Sequence, residues 1–327
     1  MKQHTIQEIG QQLAKAKSVL LFPHDNADGD ALGSAAALCG ALRKAGKETA
    51  VLMGERAPDS FQFLDQGFFT FDQQQIPEPD ICMCLDCGEP SRFLKRKEKF
   101  FQGRTTICLD HHVTSEPFAD YNHIDGKAAA AAELVYKLIV SMGIAMDKTI
   151  GEAIFTGICT DTGNFQYSNT TKESHLITAA LYDAGIDHAK VAVEVYQNMP
   201  LEKFQIVNKT LGTMELFAEG KAAMAHVTQA MLQEMGASVD HTDGCVEALR
   251  NIKGVEVAAF IKEKKDHLCK VSMRAKSTAN VAKIAAVFGG GGHVKAAGCT
   301  LEMDIQEACG RLKQAIEESI RKDQALE

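Results

Sequence analysis

The stretch Val19-Leu20-Leu21-Phe22-Pro23-His24-Asp25-Asn26-Ala27-Asp28-Gly29-Asp30-Ala31-Leu32-Gly33 decides the fold. Four apolar residues run without alternation and stop at a proline. A polar segment with one histidine and three aspartates follows. A small-residue, helix-forming run then continues to Ala45 and closes at Gly46. A short continuous apolar run predicts a strand buried on both faces, as in a parallel sheet. A strand, a loop and then a helix is the first unit of an open α/β sheet.

Similar apolar runs recur at 49–53, 81–85 and 105–109, and amphipathic stretches at 6–16, 31–45, 128–142, 148–160 and 172–184. The alternation predicts a doubly wound, mainly parallel sheet over residues 1–188. Residues 189–216 read as a mainly helical linker, with Pro200 at a helix start. Residues 217–327 restart with strands at 222–227, 255–262 and 268–274 and helices at 279–288 and 305–320. They read as a smaller α/β domain. Two domains also suit the length of 327 residues, because single cores stop growing at roughly 250–300.

Hydrophobic residues make up 45% and charged residues 24%, which excludes disordered and fibrous classes. Net charge is −8, so the whole molecule is no basic nucleic-acid coat. The charge is uneven. Residues 250–295 hold ten Lys and Arg against three acids. No apolar run reaches the ~20 residues of a membrane span, and the N-terminus lacks an export signal. Ten cysteines in such a chain read as reduced thiols of a cytoplasmic protein. Cys82, Cys84 and Cys87 lack a second CxxC pair and read as small hydrophobes in a strand rather than half a zinc site.

In an open α/β sheet, ligands bind beyond the carboxyl ends of the strands. His24, Asp28 and Asp30 follow the first strand, Asp86 the 81–85 strand, and Asp110-His111-His112 the 105–109 strand. Thr160-Asp161-Thr162-Gly163 ends the 148–160 helix. Each segment alone could be a turn or a helix cap, Asp30 before Ala31 especially. Four at one edge point to cations, since crowded carboxylates repel one another. Oxygen and imidazole donors without thiolate suit Mn²⁺, and Asp86 at the centre could bridge two ions. In the C-terminal part, Gly289-Gly290-Gly291-Gly292 exceeds what a helix cap needs. Its N–H groups can cradle an anion, with His293 as a further donor and Arg274 as a bidentate phosphate partner.

These residues resemble the DHH phosphoesterases. The resemblance rests on His24-x-x-x-Asp28-x-Asp30-x-x-Gly33-Ser34, Asp86-Cys87-Gly88, Asp110-His111-His112 and Thr160-Asp161-Thr162-Gly163. Arg274, Asn280-Val281 and Phe288 through Gly298 resemble the family's associated C-terminal domain. The length and the glycine motif look like the branch combining oligoribonuclease and 3′-phosphoadenosine-5′-phosphate (pAp) phosphatase activities. The resemblance implies two Mn²⁺ ions, with Mg²⁺ or Co²⁺ as other candidates. It implies that His24 and Asp28 hold one, that Asp30, His111 and Asp161 hold the other, and that Asp86 bridges. Asp110 would orient the histidines, and His112 would contact the scissile phosphate. Arg274, Gly290, Gly291, Gly292 and His293 would hold the far end of the substrate.

The expected activity is hydrolysis of two- to five-residue RNA to 5′-mononucleotides, and of pAp to AMP. Partners would be short single-stranded RNA and pAp, without long duplexes or membranes, and the protein would be a monomer or homodimer. Cyclic dinucleotides or linear pApA are the alternative substrates, and an inert nucleotide-binding protein is the rival class. Two positions depart from the family pattern: Ala27, where proline is common, and Ala275, where serine is common.

Overall fold

The computed structural model describes residues 2–277 and 279–324. The chain divides into two compact units, Met1–Asn198 and Met199–Glu327. The boundary falls inside the stretch read from sequence as a linker.

The first unit runs α1 (Ile6–Lys15), β1 (Ser18–Phe22), α2 (Gly29–Lys44), β2 (Glu48–Leu52), β3 (Phe69–Thr70), β4 (Ile81–Leu85), α3 (Lys97–Phe100), β5 (Thr105–Asp110) and β6 (Tyr121–Ile124). Four helices complete it: α4 (Ala131–Ser141), α5 (Lys148–Asp161), α6 (Lys172–Asp183) and α7 (His188–Ala192). The strand order is β3-β2-β1-β4-β5-β6, parallel throughout. β1 and β4 are buried along their whole length, as continuous apolar runs require. Val19 and Leu21 face a core shared with α2, α4 and α5. Leu20 and Phe22 face the opposite core, with Phe93, Phe100 and the three cysteines of the 82–87 segment. The order reverses between β1 and β4, so the crevice at their carboxyl ends is the topological switch point.

The edge strands β3 and β6 escape a sequence reading because two and four residues give no clear period. One boundary moves in a way that matters. α2 starts at Gly29, not Ala31, and its N-cap is Asp28, whose Oδ1 accepts from Asp30 N and Ala31 N at 3.1 Å. A Cβ on Gly29 would lie 2.5 Å from the Thr160 side chain, so only glycine lets the helix begin there.

The second unit comprises α8 (Leu201–Leu211), β7 (Glu215–Phe217), β8 (Ala222–Val227), α9 (Gln229–Glu234), α10 (Cys245–Asn251), β9 (Val257–Lys265) and β10 (Leu268–Ala275). It ends with α11 (Val281–Val287), β11 (Gly291–His293), β12 (Ala296–Leu301) and α12 (Ile305–Gln324). Its sheet order is β11-β12-β10-β9-β8-β7, antiparallel except for β8 with β9. α11 and α12 cover one face, and α8, α9 and α10 the other. The glycine run is not wholly a loop: Gly291–His293 pairs with β12 as an edge strand. Among the described residues, no helix is long and apolar enough to cross a membrane.

Candidate active site

The β1–α2 loop, the ends of β4 and β5 and the last turn of α5 converge at the switch point. Three groups of side chains each place one donor atom within 4.8 Å of the others: His24, Asp28 and Asp86; Asp30, His111 and Asp161; Asp86, His111 and His112. All the metal-ligand candidates read from sequence therefore come together, with Asp86 in two of the three groups.

Close helix packing delivers two of them. A Cβ on Gly33 would stand 2.4 Å from the Ala153 carbonyl, and one on Gly157 would stand 2.8 Å from Asp30 Oδ1. The missing side chains let α2 and α5 approach, which places Asp30 near the start of one helix beside Asp161 at the end of the other. The Asp30 carboxylate is buried and accepts from the first amides of α4, Ala131 N at 2.6 Å and Ala132 N at 2.9 Å. Ala130 gives α4 no side-chain cap, so Asp30 caps that helix from another element. Asp86 follows β4 in left-handed backbone, φ +54°, which Asp tolerates better than most residues. That turn brings its carboxylate back over the strand ends.

The hydrogen bonds fix the histidine tautomers. His24 Nδ1 donates to the Asp25 carbonyl at 2.8 Å, and His111 Nδ1 donates to the Ala128 carbonyl at 3.2 Å. A carbonyl only accepts, so each neutral ring turns a bare Nε2 lone pair toward carboxylates. His24 Nε2 lies 3.8 Å from Asp28 and 3.7 Å from Asp86 Oδ2. His111 Nε2 lies 3.7, 3.3 and 3.6 Å from Asp30, Asp86 Oδ1 and Asp161. Those spacings exceed ordinary hydrogen bonds of roughly 2.7–3.2 Å and match two ligands sharing a cation about 2.1 Å from each. Asp86 Oδ1 is buried with no hydrogen-bond partner, which a cation would supply. The donor set of imidazole nitrogen and carboxylate oxygen fits Mn²⁺ or a similar ion.

The electrostatics agree. Burial and the Asp86 carboxylate push Asp30 well above the usual carboxylate range. Burial likewise raises Asp161 to about 6. Burial disfavours both imidazolium ions, yet the surrounding carboxylates outweigh it and raise His24 and His111 to about 10. Burial also opposes the Asp86 anion, but His111 and His24 hold its carboxyl below the ordinary range. Protons are thus shared where cations would otherwise neutralise the charge.

His112 differs from the other two. Its Nδ1 donates to buried Asp110 at 2.9 Å, and Asp110 raises its pKa. The ring is half-exposed, and Ser115 Oγ donates to the other Asp110 oxygen. The fully buried Asp110 therefore holds a solvent-facing imidazole in one orientation.

In the second unit, a cavity of about 570 Å³ is lined by Lys270, Arg274 and Gly289 to Gly292 among others. Glu247 orients the Arg274 guanidinium through Nε at 3.0 Å. A Cβ on Gly290 would stand 2.3 Å from the Gly298 carbonyl, so the strand turn needs glycine there. His293 does not line this cavity: it is exposed on edge strand β11, opposite Ala296.

No sequence pattern pointed to Arg96. Its side chain is buried and donates to the carbonyls of Leu52 and Pro23 and to Asp25 at 2.6 Å. It ties down the loop that carries His24 from 71 positions away, a distance no local pattern spans. The cysteines of the 82–87 segment sit in the Phe-rich core, and burial pushes Cys82 and Cys87 up to about 12. Among the described residues, no metal-binding group contains a cysteine.

Comparison with known proteins adds the family. Residues 18–158 match the DHH family, N-terminal domain, and residues 220–322 match the DHHA1 domain. A Thermus thermophilus protein named bifunctional oligoribonuclease and PAP phosphatase NrnA is 31% identical, covering 92% of this chain and 90% of that protein. The cyclic-di-AMP phosphodiesterase PdeA of Listeria monocytogenes is 25% identical over 75% of this chain but only 37% of its own length. The crystal structure of an exopolyphosphatase-related protein from Bacteroides fragilis superposes with a TM-score of 0.87 at 26% identity, covering 96% of this chain and 95% of that one. Two matched domains in order and near-complete coverage of a relative place this chain in the DHH family of phosphoesterases, with a DHHA1 domain at its C-terminal side.

Proposed function

We propose that the chain hydrolyses short RNA oligonucleotides to 5′-mononucleotides and removes a phosphate from pAp, using two Mn²⁺ ions. One observation carries this: Asp86 offers its two oxygens to two separate ligand groups, His24 with Asp28 and His111 with Asp30 and Asp161. In this reading His24 and Asp28 hold one ion, Asp30, His111 and Asp161 the other, and Asp86 both. Bound cations would polarise the phosphoryl oxygens and lower the pKa of an attacking water.

The chain's own groups do the rest. Asp110 holds His112 with Nε2 outward and favours the protonated ring, whose Nε2–H can donate to the scissile phosphate or the leaving oxygen. The Ala131 and Ala132 amides hold the Asp30 carboxyl group fixed beside its neighbours. Arg274 and the amides of Gly290, Gly291 and Gly292 would bind a second phosphate of the substrate in the cavity of the C-terminal unit. His293, from its exposed strand, would add a donor only to a substrate that extends past that cavity. An acidic protein with such a local basic segment favours a short, highly charged substrate over a long polymer.

The likeness to PdeA supports a second reading, hydrolysis of a cyclic dinucleotide or of linear pApA. A substrate panel separates the two: pAp, RNA of two to five residues, RNA of twenty residues, cyclic di-AMP and pApA, each with Mn²⁺ and with Mg²⁺. The first reading expects turnover of pAp and the short RNAs to exceed that of cyclic di-AMP. Turnover confined to cyclic di-AMP and pApA would overturn it in favour of the second.

A further inference from the structure

The chain does something unusual immediately after Asp161. Gly163, Asn164 and Phe165 all take left-handed backbone, with φ of +56°, +56° and +63°. For a bulky aromatic such as Phe165 this is strained, and strain of this kind persists where surrounding structure enforces it. The enforcement is visible. Thr162 accepts from both Gln166 N and Tyr167 N through its carbonyl at 3.0 Å, and its hydroxyl accepts from Phe165 N at 3.1 Å. Asn169 Nδ2 donates back to the Asp161 carbonyl at 3.0 Å. Phe165 is stacked on His175 at 5.1 Å between ring centroids. The loop is therefore folded back on the residue that ends α5 and is held there.

That fold lays the ring of Tyr167 on Gly163. A Cβ on Gly163 would stand 2.4–2.5 Å from Cζ, Cε1 and Cε2 alike. A point nearly equidistant from those three atoms, at that range, lies over the ring face rather than off its edge. One face of Tyr167 thus covers glycine backbone two residues from Asp161. Yet the residue remains 52% exposed, so the opposite face is open to solvent. An aromatic ring pinned by one face, with the other bare, costs little entropy to stack upon.

We propose that Tyr167 is a specificity-determining residue that stacks a nucleobase of the substrate beside the metal-ligand cluster. The inference rests on the nucleotide reading above and deepens it: a base, and not only phosphates, is recognised in the N-terminal unit. Glycine at 163 is part of the device, because any side chain there would displace the ring. The hydroxyl is not needed, since stacking uses the face, so phenylalanine serves equally.

The test compares the labelled dinucleotide ApA with its two abasic counterparts, in which one adenine or the other is replaced by hydrogen. Tyr167→Leu is expected to raise KM for ApA about 5- to 100-fold, the range of losing one base–aromatic stack, with kcat within about twofold. Tyr167→Phe is expected to keep the wild-type KM. For one abasic dimer, the wild type should already show the raised KM, and Tyr167→Leu should raise it no further. That base dependence separates stacking from general damage to the loop, which would weaken all three dimers. An unchanged KM in Tyr167→Leu, or an equal loss on ApA and both abasic dimers, would overturn the inference while leaving the functional reading intact. Should the wild type hydrolyse none of the dimers, the functional reading fails, and calorimetric binding of AMP then judges the stacking alone. A 5- to 100-fold weaker affinity in Tyr167→Leu supports it, and equal affinity or no binding by either protein overturns it.

Discussion

His111 Nε2 stands 3.3 Å from Asp86 Oδ1, two acceptor atoms face to face when the neutral His111 ring keeps its proton on Nδ1 and donates it to the Ala128 carbonyl. Two bare lone pairs at that distance in a buried site are tolerable only with a proton or a cation between them. Asp86 repeats the arrangement with His24 on its other oxygen.

Replacing Asp86 tests the shared ligand. Asp86→Asn keeps the shape but loses the charge that faces both ligand groups. Hydrolysis should fall by more than about 100-fold, beyond the roughly 10- to 100-fold typical of residues that merely support a metal ligand. Binding of an ion to the native state alone adds about 2.7 kcal/mol of stability at 100 times Kd. Mn²⁺ should accordingly raise the melting temperature of the wild type and raise that of Asp86→Asn much less. An equal rise in both proteins would remove Asp86 from the ligand set.

Asp110 supports a prediction of a different kind. It touches His112 through Nδ1 and is buried, while His112 is half-exposed. Asp110→Asn removes the charge and allows the imidazole to turn or change tautomer. Activity is expected to drop about 10- to 100-fold, with Mn²⁺ binding measured by calorimetry largely retained. Loss of Mn²⁺ binding to the extent expected for Asp86→Asn would place Asp110 in the ligand set instead.

The glycine contact between α2 and α5 predicts a stability effect. At Gly33 an added methyl meets backbone, the Ala153 carbonyl, and backbone cannot rotate away. Gly33→Ala should cost about 1–3 kcal/mol, the usual range for overpacking a close contact, measured by urea unfolding. It should also weaken Mn²⁺ binding, since the same contact places Asp30 beside Asp161. Unchanged stability would show that the helices separate freely.

The thiols give a simple chemical check. Cys82 and Cys87 are buried with pKa values pushed up to about 12, so almost no thiolate exists at neutral pH. Iodoacetamide at pH 7.5 should leave both unmodified in the native protein and label all ten cysteines in denaturant, read by mass spectrometry. Rapid native labelling of either would contradict their place in the Phe-rich core.

Much of this was readable before any coordinates. Continuous apolar runs at 19–22, 81–85 and 105–109 identify buried parallel strands, and polar residues directly after them must fall at one edge. The chemistry of the site followed from that topology. Three features were not readable. Asp28, not Asp30, caps α2, because the choice depends on Gly29 packing against Thr160 across 131 positions of chain. Arg96 reaches the His24 loop only through tertiary contacts. His293 stands apart from the cavity because the glycine run pairs as an edge strand, a role glycine composition argues against. In the first two cases a long-range contact overrode the local signal, and in the third a short hairpin with β12 did.

A convergent Asp and His cluster that holds the cations of a phosphoesterase makes hydrolysis depend on those cations. Hydrolysis of a labelled dinucleotide by chelator-stripped protein, followed as Mn²⁺ is titrated back, tests that dependence most directly. No turnover is expected without the ion, with recovery as Mn²⁺ saturates the site; undiminished turnover in excess chelator would rule out a cation-dependent cluster.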